Sequence, residues 1–485
     1  MKFLNTNFLK ILSGPLLGLF VFLILNAYEL EQTVCMAAAA VVWMCFWWIT
    51  EAINIYITSL LPLVLFPFSG VMPMQEVSQM YTNEIIFLYI GGFLLAFGIE
   101  RWNLHQRFAF KILLSVGTKP QSVLLGFMLS SYLLSMWISN IATTMMLLPA
   151  VLAVGKTLNE NNPKTNYYLP LLLGLAYASS IGGTATIVGT APNMIFFGFY
   201  EQFFANETPI TFSKWLLFGL PLSLVLFFVA YKILGWMFFR KDVDIEFDKT
   251  YIKEKYIALG KLSKDETKIL IIFGITVLLW FFRVDLSIGD FRIKGWTSLL
   301  DNPSYIKDST IAITMAFLLF LIPSSKGKLL TWNEAKEIPW GILFLFGGGF
   351  AMASGIESSG LSVLISEKLM LLSNLNGTTI IIILTIFMVF FTEISSNTTS
   401  TYLILPIISG LSSNIVDTPA LFLMIPVVFA ASLAFMLPVA TPPNAVVFAS
   451  EKIKIKEMAK TGLILNLISI LVVVLFTLYL APLIF

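Results

Sequence analysis

The sequence predicts an all-α polytopic membrane protein of about eleven membrane-spanning helices and two re-entrant hairpins, arranged as an inverted repeat. Three observations predict it. Hydrophobic residues make up 58% of the 485-residue chain, charged residues only 12%, and mean hydropathy is +0.87; a soluble domain carries roughly twice that charge. The apolar runs reach the roughly twenty residues that a helix needs to cross a bilayer, without the alternating strands of a barrel. Finally, one polar stretch occurs twice.

The first copy is Ser135-Met-Trp-Ile-Ser139-Asn140-Ile-Ala-Thr-Thr144, and the second is Thr392-Glu-Ile-Ser-Ser396-Asn397-Thr-Thr-Ser-Thr401, 257 residues later. The same offset carries Gly91-Gly92-Phe93 onto Gly348-Gly349-Phe350, Gly98-Ile99-Glu100 onto Gly355-Ile356-Glu357, and Pro149 onto Pro406. Four matches in one register identify a duplicated unit, with one Ser-Asn site per half.

The elements follow in order. Residues 1–32 hold the first helix, about Phe8–Ala27, which lacks a small-x-small cleavage site and is kept as a membrane helix rather than a signal peptide. The first repeat, 33–239, opens with helices over about Thr33–Ile49, Ile53–Ser69 and Ile85–Gly98. Next comes a hairpin at about 121–155, with Lys119 and Lys156 at its two ends and Ser139-Asn140 at its tip. Both arms are expected to be too short to span. The fifth helix, Tyr168 to about Phe204, is too long for one straight span and is broken by Gly182-Gly183 and Gly189-Thr-Ala-Pro192-Asn193. A sixth covers about Trp215–Phe239. The most charged stretch, 240–268, links the halves. The second repeat, 269–485, has helices over Ile269–Phe282, Thr310–Ile322 and about Pro339–Ile356, then a second hairpin at about 378–411. A helix over Ala420–Ser450 is broken at Ala440-Thr-Pro442-Pro443-Asn444, and the last runs over Gly462–Leu483.

Charge sets the orientation. With a cytoplasmic N-terminus, 23 Lys/Arg fall in loops assigned inside and six in loops assigned outside. That is a strong positive-inside bias. It places the first hairpin on the cytoplasmic side and the second on the outer side, an inverted arrangement common in secondary transporters.

The motifs point to ion chemistry. Proline removes a backbone donor, so each Pro-Asn break frees carbonyls from the helical ladder. Such backbone is tolerated at membrane depth where it lines a cavity. Carbonyl, hydroxyl and amide oxygens are hard ligands suited to a small cation, and helix N-termini offer N–H groups to an anion. No Lys or Arg lies between Lys119 and Lys156, between Lys164 and Lys214, or between Lys368 and Lys452. A dianion bound at these motifs would need co-bound cations and helix dipoles to neutralise it. Cys35 and Cys45 make no disulfide framework, and His105 is the lone histidine. An enzyme is not expected, because neither a nucleophile–base pair nor a metal cluster stands out. Glu393, whose repeat counterpart is Met136, reads as a structural hydrogen-bonder ahead of a proton carrier, although intramembrane carboxylates are functional by default.

These features together resemble the divalent anion:sodium symporter family, with its INDY-type di- and tricarboxylate carriers. The resemblance rests on the paired Ser-Asn motifs, the Gly-Thr-x-Pro-Asn and Thr-Pro-Pro-Asn breaks, and Pro339-Trp-Gly-Ile-Leu-Phe-Leu-Phe-Gly-Gly-Gly-Phe350. It implies a homodimer, each protomer having a scaffold and a moving transport part that carries substrate with Na⁺ by an elevator mechanism. It places one Na⁺ site on Ser135, Ser139, Asn140 and Gly189, and another on Thr392, Ser396, Asn397 and Ala440. It places substrate contacts on Asn140, Thr190, Asn397, Thr398, Thr441 and Pro442. The chain departs from the family at Ile141, where Ser-Asn-Thr is usual, so one hydroxyl is missing.

The expectation is a Na⁺-coupled symporter of a small dianionic carboxylate, succinate-like, in the lipid bilayer of the inner or plasma membrane, with no nucleic-acid partner. The alternatives are sulfate or citrate symport, Na⁺-independent dicarboxylate exchange and, last, a passive anion channel.

Overall fold

Helix starts and stops in this chain are set by short polar signals inside long apolar runs. The computed structural model describes residues 2–161, 166–239, 249–288, 291–368, 375–412 and 418–485; residues 240–248 of the expected linker lie outside them. The first part holds α1 (Lys2–Ala27), α2 (Gln32–Thr50), α3 (Ile55–Thr58), α4 (Leu61–Ser69), α5 (Met74–Met80), α6 (Glu84–Arg101) and α7 (Leu104–Ser115). A hairpin of α8 (Pro120–Ser135) and α9 (Asn140–Asn161) follows. Next are the broken helix α10 (Tyr168–Gly183) and α11 (Ala191–Phe203), then α12 (Phe212–Phe238). The second part holds α13 (Thr250–Ala258), α14 (Lys264–Phe281), α15 (Asp308–Leu321), α16 (Trp332–Ala335), α17 (Gly341–Ser358) and α18 (Leu361–Lys368). It closes with the hairpin α19 (Gly377–Ile394) and α20 (Asn397–Ser412), the broken helix α21 (Ala420–Ser432) and α22 (Pro442–Phe448), then α23 (Ile455–Tyr479) and α24 (Ala481–Ile484). Two short antiparallel ribbons, Leu286–Ile288 with Phe291–Ile293 and Pro323–Ser324 with Gly327–Lys328, lie in loops.

Among the described residues, eight helical segments are long and apolar enough to cross a membrane, and four shorter apolar helices accompany them. This is an all-α polytopic membrane protein. Four boundaries differ from the sequence expectation. The third helix is split into α3 and α4, because Asn54 Oδ1 caps a new start at Tyr56 N (2.9 Å) and Pro62 restarts the helix one turn later. The seventh begins at Lys264, where Ser263 Oγ accepts from Glu266 N (3.1 Å) and Glu266 Oε2 accepts from Ser263 N (2.7 Å). That reciprocal cap satisfies two orphan donors. The last helix starts at Ile455, since Glu457 Oε2 accepts from Lys454 N (3.1 Å) and lets a charged turn precede the apolar run. The second arm of the first hairpin, α9, has 22 residues rather than a short one. It runs on through Lys156 and Glu160, whose side chains face each other at i,i+4 (3.9 Å).

The helices form two bundles. In the hairpin bundle α8, α9 and α12 surround α10, while α19, α20 and α23 surround α21. The short second pieces cross over: α11 lies against α20 and α21, and α22 lies against α9 and α10. Each hairpin is therefore completed by a helix from the other half. The outer bundle is built on α6 against α14 and α15, and on α17 against α2 to α5 and α18. Among the described residues one ion pair joins the two bundles, Lys307 Nζ to Glu201 Oε1 (3.4 Å); Lys307 is shared with Glu84 (3.4 Å). A half-exposed pair of this kind is worth about 1 kcal/mol at most.

Candidate functional site

In the first half, α8 ends at Ser135 and α9 begins at Asn140, so the tip brings the two side chains together. Ser135 Oγ donates to Asn140 Oδ1 (2.5 Å) and lies 3.3 Å from Ser179 Oγ on α10. Ser179 Oγ donates to Asn140 O (2.9 Å), and Thr144 Oγ1 donates to the same carbonyl (2.8 Å). Ser139 is the cap of α9, its Oγ accepting from Ala142 N (3.3 Å). Two glycines close the cluster. A Cβ on Gly183 would stand 2.6 Å from Asn140 Oδ1 and 3.1 Å from Gly189 O, and one on Gly189 would stand 3.0 Å from Met136 O. Only glycine lets these oxygens approach each other. The result is a cradle of hydroxyl, amide and carbonyl oxygens, a donor set that fits a hard monovalent cation.

The second half repeats the geometry. Thr392 Oγ1 lies 2.9 Å from Asn397 Oδ1 and from Ala431 O, and Thr401 Oγ1 donates to Asn397 O (2.8 Å). The breaks match as well. Asn193 Nδ2 donates to Gly183 O (3.3 Å) and Thr186 O (2.7 Å), and Asn444 Nδ2 donates to Ala434 O and Leu437 O (both 3.1 Å). These amides take up carbonyls that the missing helical turn leaves without a donor. Each break also gives one carbonyl to a distant buried ring: Thr184 O accepts from Trp215 Nε1 (3.3 Å), and Phe435 O accepts from Tyr177 Oη (2.9 Å).

The two breaks differ in how their N–H groups are satisfied. In the first, Thr184 N and Ala185 N turn back onto Ile181 O and Gly182 O (both 3.1 Å). In the second the chain is extended after Ser432, and Glu393 takes the donors. Its Oε1 accepts from Phe435 N (2.7 Å) and Met436 N (2.9 Å), its Oε2 from Leu437 N (3.0 Å), and Asn466 Nδ2 on α23 adds a fourth bond (2.7 Å). At the matching position of the first half, Met136 offers only its carbonyl, to Thr186 Oγ1 (2.5 Å).

One cavity of about 200 Å³ lies between the halves. Of the sequence-expected residues, Ser139, Asn140, Gly189, Thr190, Ser396, Asn397, Thr398, Thr441 and Pro442 line it. Ser135, Thr392 and Ala440 do not; they are buried behind the wall. The cavity has near two-fold chemistry, with Ser139, Asn140, Thr190 and Pro192 from one half and Ser396, Asn397, Thr441 and Pro443 from the other. The one polar mismatch among the lining residues is Ile141, 41% exposed, whose repeat partner is Thr398. Among the described residues no Lys or Arg lines it.

Sequence reasoning missed Ser179 and Asn466 as parts of this framework, and it read the Asn193 and Asn444 amides as oxygen ligands where their Nδ2 groups bond the freed carbonyls. A polar residue within an apolar helix marks interhelical bonding without naming the partner. Sequence reasoning also missed the wall formed by Phe93, Trp137, Val188 and Ile342.

Comparison with known proteins agrees over the whole chain. The family described as "Sodium:sulfate symporter transmembrane region" matches residues 5–485. A sodium-dependent dicarboxylate transporter, SdcS, of Staphylococcus saprophyticus is 41% identical over 481 residues, covering 97% of this chain and 90% of the relative. The protein of the same name from Staphylococcus aureus strain MRSA252 is 40% identical over 494 residues, covering 99% and 92%. Among solved structures, the Alcanivorax borkumensis YdaH transporter superposes with a TM-score of 0.56 at 11% identity, over 83% of this chain and 87% of that one. Neisseria gonorrhoeae MtrF gives 0.58 at 11%, over 84% and 83%. At that identity the two structures speak for the fold alone. A match that runs from residue 5 to the last residue, on a fold with paired hairpins and paired broken helices, shows that this chain is a transporter rather than an enzyme and belongs to the sodium:sulfate symporter, or divalent anion:sodium symporter, family.

Proposed function

We propose that the protein is a Na⁺-coupled carrier that takes up C4-dicarboxylates such as succinate across the plasma membrane. The carrying observation is the pairing of two oxygen clusters, Ser135–Asn140 with Gly183 and Gly189 in one half and Thr392–Asn397 in the other, around one cavity that has no Lys or Arg among the described residues. A dianion there has hydroxyls, amides and the N-terminus of α11 for its carboxylates but no side-chain cation. Bound Na⁺ must supply the opposite charge, because an uncompensated ion in this setting costs several kcal/mol. Substrate and Na⁺ therefore tighten each other's binding. The names of the relatives, sodium-dependent dicarboxylate transporters, support the same reading.

The chain's own residues do three things in this scheme. Asn140 and Asn397 each present an amide oxygen toward a cation and line the substrate cavity. Ser135 and Thr392 hold those amides in place before the cation arrives. Thr190 and Thr441 line the cavity and offer their hydroxyls to carboxylate oxygens; α11 adds the backbone N–H of Ala191, whereas α22 opens on Pro442 and Pro443 and has no N–H there. The hairpin bundle moves as a unit against the outer bundle, an elevator motion favoured by how few polar ties join the two. The N-terminus is cytoplasmic and the protein is a homodimer, readings that rest on the Lys/Arg asymmetry and the family likeness.

Uptake of labelled succinate, sulfate and citrate into proteoliposomes, with Na⁺ or K⁺ outside, tests the proposal. Succinate entering in Na⁺ and not in K⁺ is the expected result. Equal uptake in both would replace symport by exchange, and sulfate ahead of succinate would overturn the substrate class.

A further inference from the structure

The backbone after Ser432 has left the helical ladder, so its course is fixed by what grips it from outside. One peptide unit takes three such grips. The Phe435 carbonyl accepts from Tyr177 Oη (2.9 Å), and the Met436 N–H of the same unit donates to Glu393 Oε1 (2.9 Å). Gly462 on α23 lies so close that a Cβ there would collide with Phe435 O and Met436 N. The next residue passes the grip on. Leu437 N donates to Glu393 Oε2 (3.0 Å), and Leu437 O accepts from Asn444 Nδ2 (3.1 Å) and Ala440 N (3.3 Å). Those bonds set the start of α22 and place Thr441 in the cavity wall. Glu393 and Gly462 belong to the second half of the chain, whereas Tyr177 belongs to the first.

Tyr177 sits on α10, which is also part of the first half-site. Two residues further on, Ser179 Oγ donates to Asn140 O (2.9 Å), and at the end of the helix Gly183 lies against Asn140 Oδ1. Positions two apart are about 200° around a helix, so α10 turns Ser179 to the first tip and Tyr177 to the second break on nearly opposite sides. Every residue of α10 from Leu169 to Gly183 is buried. A close-packed rod of this kind transmits a displacement rather than absorbing it. Among the described residues the Tyr177 bond is the only hydrogen bond between the two broken helices. The first break has no such tie, because its Thr184 O accepts from Trp215 on α12 of the same half. The Tyr177 ring already packs edge-on against the Phe435 ring (5.0 Å, 64°). The hydroxyl adds direction, since it fixes the plane of one peptide.

We propose that Tyr177 is a positioning residue that couples the two Na⁺ half-sites to each other, a role that rests on the symport reading above. It touches neither cation nor substrate. A Na⁺ at the first tip draws on Asn140 Oδ1 and the neighbouring carbonyls, and so fixes the end of α10. Tyr177 carries that constraint to the peptide of Phe435 and Met436, and Leu437 carries it to Ala440 and Thr441. The second Na⁺ then meets a break that is already in place and spends none of its binding energy on ordering it. Coupling is reciprocal, so the second ion tightens the first by the same factor. The physical warrant is a contiguous chain of packed and hydrogen-bonded groups from one site to the other. The carrier thereby favours holding both cations or neither.

Equilibrium binding of radiolabelled Na⁺ to the purified protein in detergent tests this, without succinate so that no dianion links the sites. The wild-type curve is expected to be steeper than independent sites allow. Tyr177→Phe keeps the ring and removes only the hydroxyl. It should abolish that steepness and weaken the second ion about fivefold, which is about 1 kcal/mol, the worth of one hydrogen bond. An Asn140→Ala background, in which only the second half-site fills, separates coupling from local support. There Tyr177→Phe should not move the Na⁺ midpoint, because no first ion is present to be sensed. A shift of the same size in that background would make Tyr177 a local prop of the break and overturn the coupling. So would a wild-type curve without steepness, or full steepness in Tyr177→Phe. Ser179→Ala, which releases α10 from Asn140 O, should lose the steepness as well and keeps the test open if Tyr177→Phe does not fold; steepness retained there also overturns the proposal. Absence of Na⁺ binding to the wild type would instead sink the symport reading.

Discussion

The two half-sites are built on one plan and held by different means. In the first, Gly183 and Gly189 let the broken helix press against the hairpin tip, and the break closes its own N–H groups by turning back on itself. In the second, Ala434 and Ala440 stand at the matching positions, the break is extended, and Glu393 reaches across from the hairpin to hold it. Close packing does in one half what a buried carboxylate does in the other. The geometry at the tip is nonetheless the same, with a hydroxyl 2.5 Å from Asn140 Oδ1 and 2.9 Å from Asn397 Oδ1. Duplication preserved the oxygens at the tip and let the support behind them diverge.

The largest way to break this comparison is to remove the carboxylate. Glu393→Ala should lower stability by roughly 3–6 kcal/mol, because three buried N–H groups and one amide lose their acceptor. Met136→Leu at the matching position should cost under about 1.5 kcal/mol, as volume-conserving swaps do. Thermal unfolding of the purified proteins in detergent compares them, and equal losses would dissolve the distinction.

Removing the shared feature should instead hit both halves alike. Asn140→Ala and Asn397→Ala should each cut Na⁺-driven uptake roughly 10- to 100-fold, the worth of one charge-assisted contact. A variant that keeps wild-type uptake would identify a half that does not bind a cation. Next in size is the glycine cradle. Gly183→Ala forces a methyl to 2.6 Å from Asn140 Oδ1, and overpacking of this kind costs about 1–3 kcal/mol. Ala434→Gly in the other half should cost only about 0.5–1 kcal/mol. Na⁺ titration of succinate uptake reads the difference, with the first variant losing Na⁺ affinity and the second keeping it.

The smallest effect concerns substrate choice. Ile141 and its repeat partner Thr398 line the same cavity and are the one polar mismatch between the halves among the lining residues. Ile141→Thr should shift the preference between succinate and its hydroxylated analogues by roughly tenfold, a typical value for one hydroxyl meeting an apolar wall, while leaving Na⁺ dependence unchanged. Competition assays against labelled succinate measure it. A change in Na⁺ dependence instead would move Ile141 from the substrate cavity into the cation framework.

Much of this protein is written in the order of its residues. Hydropathy sets the membrane class because a helix must present some twenty apolar residues to cross lipid, and that requirement is local. The paired Ser-Asn tips and Pro-Asn breaks are legible for the same reason: a proline or a capping residue acts on its own turn. The tertiary structure decided the rest. Tyr177 reaches Phe435 O across 258 positions, Glu393 finds Asn466 across 73, and α22 completes the hairpin that begins with α8. Such contacts depend on which helices lie side by side, and in a uniformly apolar chain every helix offers much the same surface to its neighbours. Composition could say that Glu393 needed partners; only the packing of α19 against α21 and α23 could say that they are three backbone N–H groups and an amide.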